Sequence, residues 1–88
     1  MAHVKVFANL RTITGQKEVN IPGRNIQAVL DRLIRDFPEM TPFLFENAQL
    51  RRRVILTLNG QALDLGSCME IAITEQDQIA IFPPIAGG

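Results

Sequence analysis

Tryptophan and tyrosine are absent from this chain of 88 residues, and cysteine and histidine occur once each. Without those aromatic platforms, base stacking on single-stranded nucleic acid has little to work with. The lone Cys68 excludes an intrachain disulfide, and with His3 far from it in sequence there is no metal-ligand spacing. No glycine-rich phosphate loop is present either. An excess of one charge is also missing. Nine basic and nine acidic residues cancel, which removes any bulk attraction to nucleic acid or to an anionic membrane. No secretory signal and no run of about 18 apolar residues is visible, so a cytoplasmic location is expected. Nothing here assembles a catalytic constellation, and any chemistry is expected to be supplied by partner proteins.

What is present is a globular balance of 47% hydrophobic and 20% charged residues, enough for one small domain with an efficient core. His3 to Leu10 alternates, with Val4, Val6, Ala8 and Leu10 on one face, and reads as a half-buried strand that Phe7 interrupts on its polar side. After a turn at Gly15, Lys17 to Ile21 alternates again, giving a hairpin that Pro22-Gly23 ends. Ile26, Val29, Leu30, Leu33, Ile34 and Phe37 then recur at helical spacing, with Asn25 as N-cap and Pro38 as terminator.

Thr41-Pro42 starts a short helix in this reading, threonine capping it and Phe43, Leu44 and Phe45 closing one end of the core. Val54 to Leu58 is expected to be the central strand, followed by an Asn59-Gly60 hairpin turn. Ala62-Leu63 and Met69 to Ile73 read as further extended pieces, and Gln78 to Phe82 as the last strand. The run Arg51-Arg52-Arg53 invites a docking role, but alternate residues of an extended segment face opposite ways, so a solvated run is favoured. Cys68 has no cationic neighbour in sequence to activate its thiol and reads as a small buried hydrophobe.

The most distinctive stretch is Ile79 to Gly88. An alternating segment meets Pro83-Pro84, which stop the strand and stiffen the arm beyond it, and the sequence then runs through Ile85 and Ala86 to Gly87-Gly88. At about 3.3 Å per extended residue, Pro83 to Gly88 reaches about 20 Å, enough to enter a pocket of another protein. Gly87 and Gly88 lack Cβ atoms and would pass a narrow channel, which makes the Gly88 carboxylate the candidate reactive group.

The segment Ile81-Phe82-Pro83-Pro84-Ile85-Ala86-Gly87-Gly88 closely resembles the C-terminus of MoaD-like small subunits of molybdopterin synthase, in the MoaD/ThiS family of ubiquitin-like sulfur-carrier proteins. The resemblance implies an α+β, β-grasp (ubiquitin-like) domain over 1–82, a mixed sheet with one main helix across it, and an extended tail over 83–88. It implies no cofactor bound by the chain itself. A MoeB-like adenylating enzyme of the ubiquitin-activating type would use ATP to adenylate Gly88, and a sulfur donor protein would supply the sulfur of a thiocarboxylate. The MoaE-like large subunit would then use that sulfur to build molybdopterin.

On the same resemblance, Phe82, Pro83, Pro84 and Ile85 would form the partner dock and Gly87 would give the tail access. Neither a nucleic acid nor a membrane is implied as a partner. One departure stands out: Glu75-Gln76-Asp77 occupies the turn that in this family often reads Asp-Gly-Asp. The same terminal chemistry would serve cysteine or thiamine synthesis or tRNA thiolation. A protein modifier joined to lysines, or a β-grasp module with binding function only, are alternatives of other classes.

Overall fold

Alternation at the start of the chain does make a strand, β1 (Ala2–Val6), with Ala2, Val4 and Val6 buried and His3 and Lys5 exposed. The computed structural model describes residues 1–84. β1 ends well before Leu10, against the sequence expectation. Ala8 turns the chain with φ 53° and ψ −127°, and Asn9–Thr14 forms a short helix, α1, which Gly15 closes in the left-handed region at φ 71°. Leu10 is buried as expected, but from this helix rather than from a strand.

β2 (Glu18–Ile21) pairs antiparallel with β1, setting Val4 opposite Val19. The main helix, α2 (Ile26–Asp36), follows the predicted periodicity: Ile26, Val29, Leu30 and Leu33 are buried, while Ile34 and Phe37 are half-buried. The Asn25 side-chain oxygen accepts the Ala28 N–H at 2.8 Å, which makes Asn25 the cap. Gly23 is needed here, because a Cβ would stand 2.7 Å from the Val29 side chain and 2.8 Å from its backbone nitrogen.

After a 3-10 turn at Pro38–Met40, helix α3 (Thr41–Leu44) is capped by Met40 without a side-chain hydrogen bond, so Thr41 is not the cap. Of the three residues expected to close the core, Leu44 is buried, Phe45 half-buried and Phe43 exposed. β3 (Phe45–Glu46) and β4 (Gln49–Leu50) form a small separate hairpin through Asn47 and Ala48, both at positive φ.

β5 (Ile55–Leu58) turns through Asn59-Gly60 into β6 (Gln61–Ala62), as the dipeptide predicts. The segment Met69 to Ile73 is not a strand. A 3-10 turn, Cys68–Glu70, leads into a single bridge between Ala72 and Asn25, and two backbone bonds, Ile26 N–H to Ile71 and Ile73 N–H to Arg24, pin the loop to the start of α2. β7 (Gln78–Phe82) completes the main sheet in the order β2-β1-β7-β5-β6. The middle strand is therefore β7, not the Val54 to Leu58 segment. It runs parallel to β1 and antiparallel to β5, placing Ile79 beside Val4 and Ile81 beside Leu56.

The inward side chains of four strands meet the apolar stripe of α2, and Leu10, Met40, Leu44, Val54, Cys68 and Ile73 close the ends. Among the described residues no charged or polar residue is buried. This is the β-grasp, ubiquitin-like fold: a mixed sheet with one main helix across it.

The start of β7 is fastened to the β5–β6 turn by side chains. Asn59 donates from Nδ2 to Asp77 at 2.9 Å, while its Oδ1 accepts the Gln78 N–H at 2.9 Å. The second Asp77 oxygen accepts the Thr74 N–H at 2.7 Å. The Asn59 amide and then the Thr74 N–H hold the Asp77 carboxyl below its ordinary value. Glu75-Gln76-Asp77 thus turns around Thr74, whose carbonyl accepts the Asp77 N–H at 3.2 Å and whose Oγ1 accepts the Gln76 N–H at 3.3 Å, with the Asp77 side chain closing the turn.

Candidate functional site

Period two along β7 puts Ile79 and Ile81 in the core and leaves Phe82 on the opposite face of the sheet, half-buried. The parallel pairing with β1 brings Phe7 alongside, just beyond the end of that strand. The two rings stack at 4.2 Å between centroids and 12° between planes. On the other side Ile55, directly opposite Phe82 in β5, is 51% exposed. Phe7, Ile55, Phe82, Pro83 and Pro84 line one apolar hollow of about 470 Å³. Of these Ile55 is exposed, Phe7, Phe82 and Pro84 are half-buried, and Pro83 is buried.

Two arginines belong to the same place. Arg11 lies over the outer face of the Phe7 ring, 4.7 Å from its centroid, and its Nε donates to the Val6 carbonyl at 2.8 Å, so α1 holds the ring from above. Arg53 lines the hollow from the β5 side. Ala8 also lines it, in a backbone conformation that costs a non-glycine residue about 1 to 3 kcal/mol. A larger hollow of about 900 Å³ lies across Ile55, among Leu50, Leu63, Leu65 and Met69. Size does not decide between them, since only the smaller hollow touches the root of the tail.

Of the residues expected to form the dock, Phe82, Pro83 and Pro84 line the smaller hollow, with Pro83 buried and Phe82 and Pro84 half-buried. Ile85, Gly87 and Gly88 lie outside the described residues. Phe7, Ile55, Ala8, Arg11 and Arg53 were not among the residues predicted for the dock. The break that Phe7 makes in its strand's alternation was the one signal, whereas Ile55 is hidden inside a continuous apolar run.

The arginine run divides. Arg51 is half-buried and structural, its Nε donating to the Pro42 carbonyl at 2.9 Å with Glu46 at 3.9 Å, while Arg52 and Arg53 are exposed. Cys68 is 1% exposed, and burial pushes its thiol above the ordinary value, which leaves it unreactive. Among the described residues no group of His, Cys, Asp and Glu is placed to hold a metal ion, and no helix is long and apolar enough to cross a membrane.

Comparison with known proteins bears on the family and the fold. The small archaeal modifier protein 1 of Haloferax volcanii is 28% identical, with 96% of this chain and 97% of that protein covered. The molybdopterin synthase sulfur carrier subunit of Arabidopsis thaliana is 30% identical, over 97% of this chain and 80% of that one. In three dimensions, the solution structure of small archaeal modifier protein 1 from Methanosarcina acetivorans superposes with a TM-score of 0.85 at 29% identity, covering 99% of this chain and 95% of the other. The ThiS family matches residues 4–88, nearly the whole length. The chain belongs to the ThiS family of ubiquitin-like sulfur carriers.

Proposed function

We propose that this chain carries sulfur on the carboxyl group of Gly88 for molybdopterin synthesis. The observation that carries the reading is the course of β7: the middle strand delivers Pro83-Pro84 at the apolar hollow beside Phe7 and Ile55, and in sequence Ile85-Ala86-Gly87-Gly88 follow. A partner seated on Phe7, Ile55 and Phe82 would receive the tail in its own active site. Ile85 adds to that dock, and Gly87 lets the carboxylate through a narrow passage.

In the proposed sequence, a carboxylate oxygen of Gly88 attacks the α-phosphorus of ATP on a MoeB-like activating enzyme, and pyrophosphate leaves. The terminal sulfur of a persulfide on a donor protein then attacks the acyl carbon and AMP departs. A thiol attacks the donor-side sulfur of the resulting acyl disulfide, which releases the thiocarboxylate and leaves the donor sulfur in a disulfide with that thiol. The MoaE-like large subunit transfers that sulfur to a pterin precursor. Catalysis and ATP belong to the partners, in the cytoplasm. The similarity to the Arabidopsis carrier subunit supports the pterin as acceptor.

Incubation with activating enzyme, ATP and sulfur donor should exchange one terminal oxygen for sulfur, read by intact mass. Deleting Gly88 or appending one residue shifts the carboxylate by about 3.3 Å, outside the near-attack range of about 3 to 3.5 Å, and should abolish transfer in a folded protein. Normal transfer by the extended variant without trimming would overturn the reading. A second reading, conjugation of Gly88 to lysines of other proteins, is favoured by the similarity to the Haloferax modifier. Recovery of such conjugates from cells would establish it.

A further inference from the structure

Asn59-Gly60 is the one Asn-Gly dipeptide of the chain, and its side chain occupies an unusual position. Asn-Gly is chemically the least hindered sequence for self-cyclisation, because no Cβ on the following residue obstructs attack by its backbone nitrogen. Gly60 is open, with no atom within 4 Å of where a Cβ would stand. Yet the Asn59 carboxamide is held at both ends, by the Gln78 N–H at 2.9 Å and by Asp77 at 2.9 Å, while its own backbone N–H binds the Gln78 carbonyl at 2.8 Å. Ring closure requires this carboxamide to swing toward Gly60, which breaks both side-chain bonds.

We infer that Asn59 is a deamidation site guarded by Asp77 and Gln78, and that its conversion loosens the strand bearing the tail. The deprotonated Gly60 nitrogen attacks Asn59 Cγ, the Cγ–Nδ2 bond breaks, and ammonia leaves with the proton, giving a cyclic imide. Water then adds to one imide carbonyl. Opening at the main-chain carbonyl routes the backbone through the former side chain as isoaspartate, while opening at the side-chain carbonyl restores a normal backbone that carries an ordinary aspartate in place of Asn59.

The aspartate product replaces the Asn59 donor by a carboxylate facing the Asp77 carboxylate, so an attraction becomes a like-charge contact, whereas in isoaspartate the former side-chain carbonyl becomes the amide to Gly60 and the donor to Asp77 is lost. Isoaspartate also adds a backbone atom to a turn that joins β5 to β6 with two residues. Both changes act at the start of β7, opposite the end that carries Pro83-Pro84. Asn47, in the sister turn, is followed by Ala48, whose Cβ hinders the same attack, and serves as the internal control.

The test ages the purified full chain at mildly alkaline pH and follows conversion at Asn59 by peptide mass and isoaspartate assay. Conversion at Asn59 is expected to be slow in the native chain, several-fold faster in folded Asp77→Ala, and fastest in denaturant, with Asn47 slower than Asn59 in denaturant. Equal rates in native and denatured chain, or no acceleration in folded Asp77→Ala, would overturn the guarding role. If Asp77→Ala does not fold, Asp77→Leu serves, since it keeps the side-chain shape and offers Asn59 no acceptor; a wild-type rate there counts against the proposal and a raised rate supports it. Asn59→Asp should lower the thermal midpoint, and Asn59→Asp with Asp77→Asn should restore it by reversing the pair. An unrescued double variant would overturn the like-charge account.

Discussion

One face of β7 presents Ile79 and Ile81 to the core, at 1% and 0% exposure, and the other presents Gln78, Ala80 and Phe82, all half-buried. The inner face is satisfied by this chain alone, through the stripe of α2. The outer face is satisfied only in part, by the Phe7 ring and the alkyl surface of Ile55, and retains a hollow. A single strand thus separates the face that holds the protein together from the face that, in the proposed function, meets partners, and the two faces should respond differently to substitution.

The largest expected effect lies on the inner side. Leu30→Ala or Leu33→Ala, at 1% and 0% exposure, should cost about 2 to 5 kcal/mol, a large share of a small domain's stability. An unchanged denaturation midpoint in both variants would break the distinction. On the outer side, Ile55→Asp and Phe82→Asp should weaken complex formation with the proposed large subunit or activating enzyme by at least about 2 kcal/mol, as at an interface hot spot. Ile55→Asp should leave the midpoint nearly unchanged. Phe82→Asp should lower it by about 0.5 to 1.5 kcal/mol, the value of a ring pair. If both variants unfold instead, the outer face is structural as well.

A smaller effect in the opposite sense is expected at Ala8. Glycine relieves the positive φ but gains freedom in the unfolded chain, so Ala8→Gly should stabilise by about 1 kcal/mol in chemical denaturation. Destabilisation would mean that the Ala8 methyl contributes more to the patch than its backbone costs. The smallest effect is at Asp77, on an exposed turn. Because its folded pKa is lowered, its contribution is complete above the unfolded value of about 3.9 and is lost as pH falls through the folded value. Asp77→Asn should remove that acid-side loss, seen as a flatter midpoint between neutral and acidic pH.

The helix over Ile26 to Asp36 was legible because its periodicity, its Asn25 cap and Pro38 all point the same way. The strands facing it were legible for a similar reason, since one buried side imposes alternation. What escaped was decided by backbone geometry that leaves no trace in composition. Ala8 turns where a glycine would have announced a turn, and so Leu10 looked like a strand residue. The Cys68–Glu70 turn copies the apolar content of a strand without its pairing. At the site, the expectation for the tail rests on the order of its own residues, which beyond Pro84 lie outside the described residues, and Phe82 was proposed from its neighbours. Its partners could not, because Phe7 reaches it through parallel pairing of two strands from opposite ends of the chain.

The middle position of β7 also bears on how the protein is made. Until Gln78–Phe82 has been synthesised, β1–β2 and β5–β6 are separate hairpins with no strand to join them, and two-stranded ribbons have little stability in water. Pairing β1 with β7 then closes a loop spanning most of the chain, a non-local step of the kind that slows folding. A chain released before that strand should remain unfolded, display no patch and be open to proteolysis. Folding thereby serves as a check that translation has passed the root of the tail.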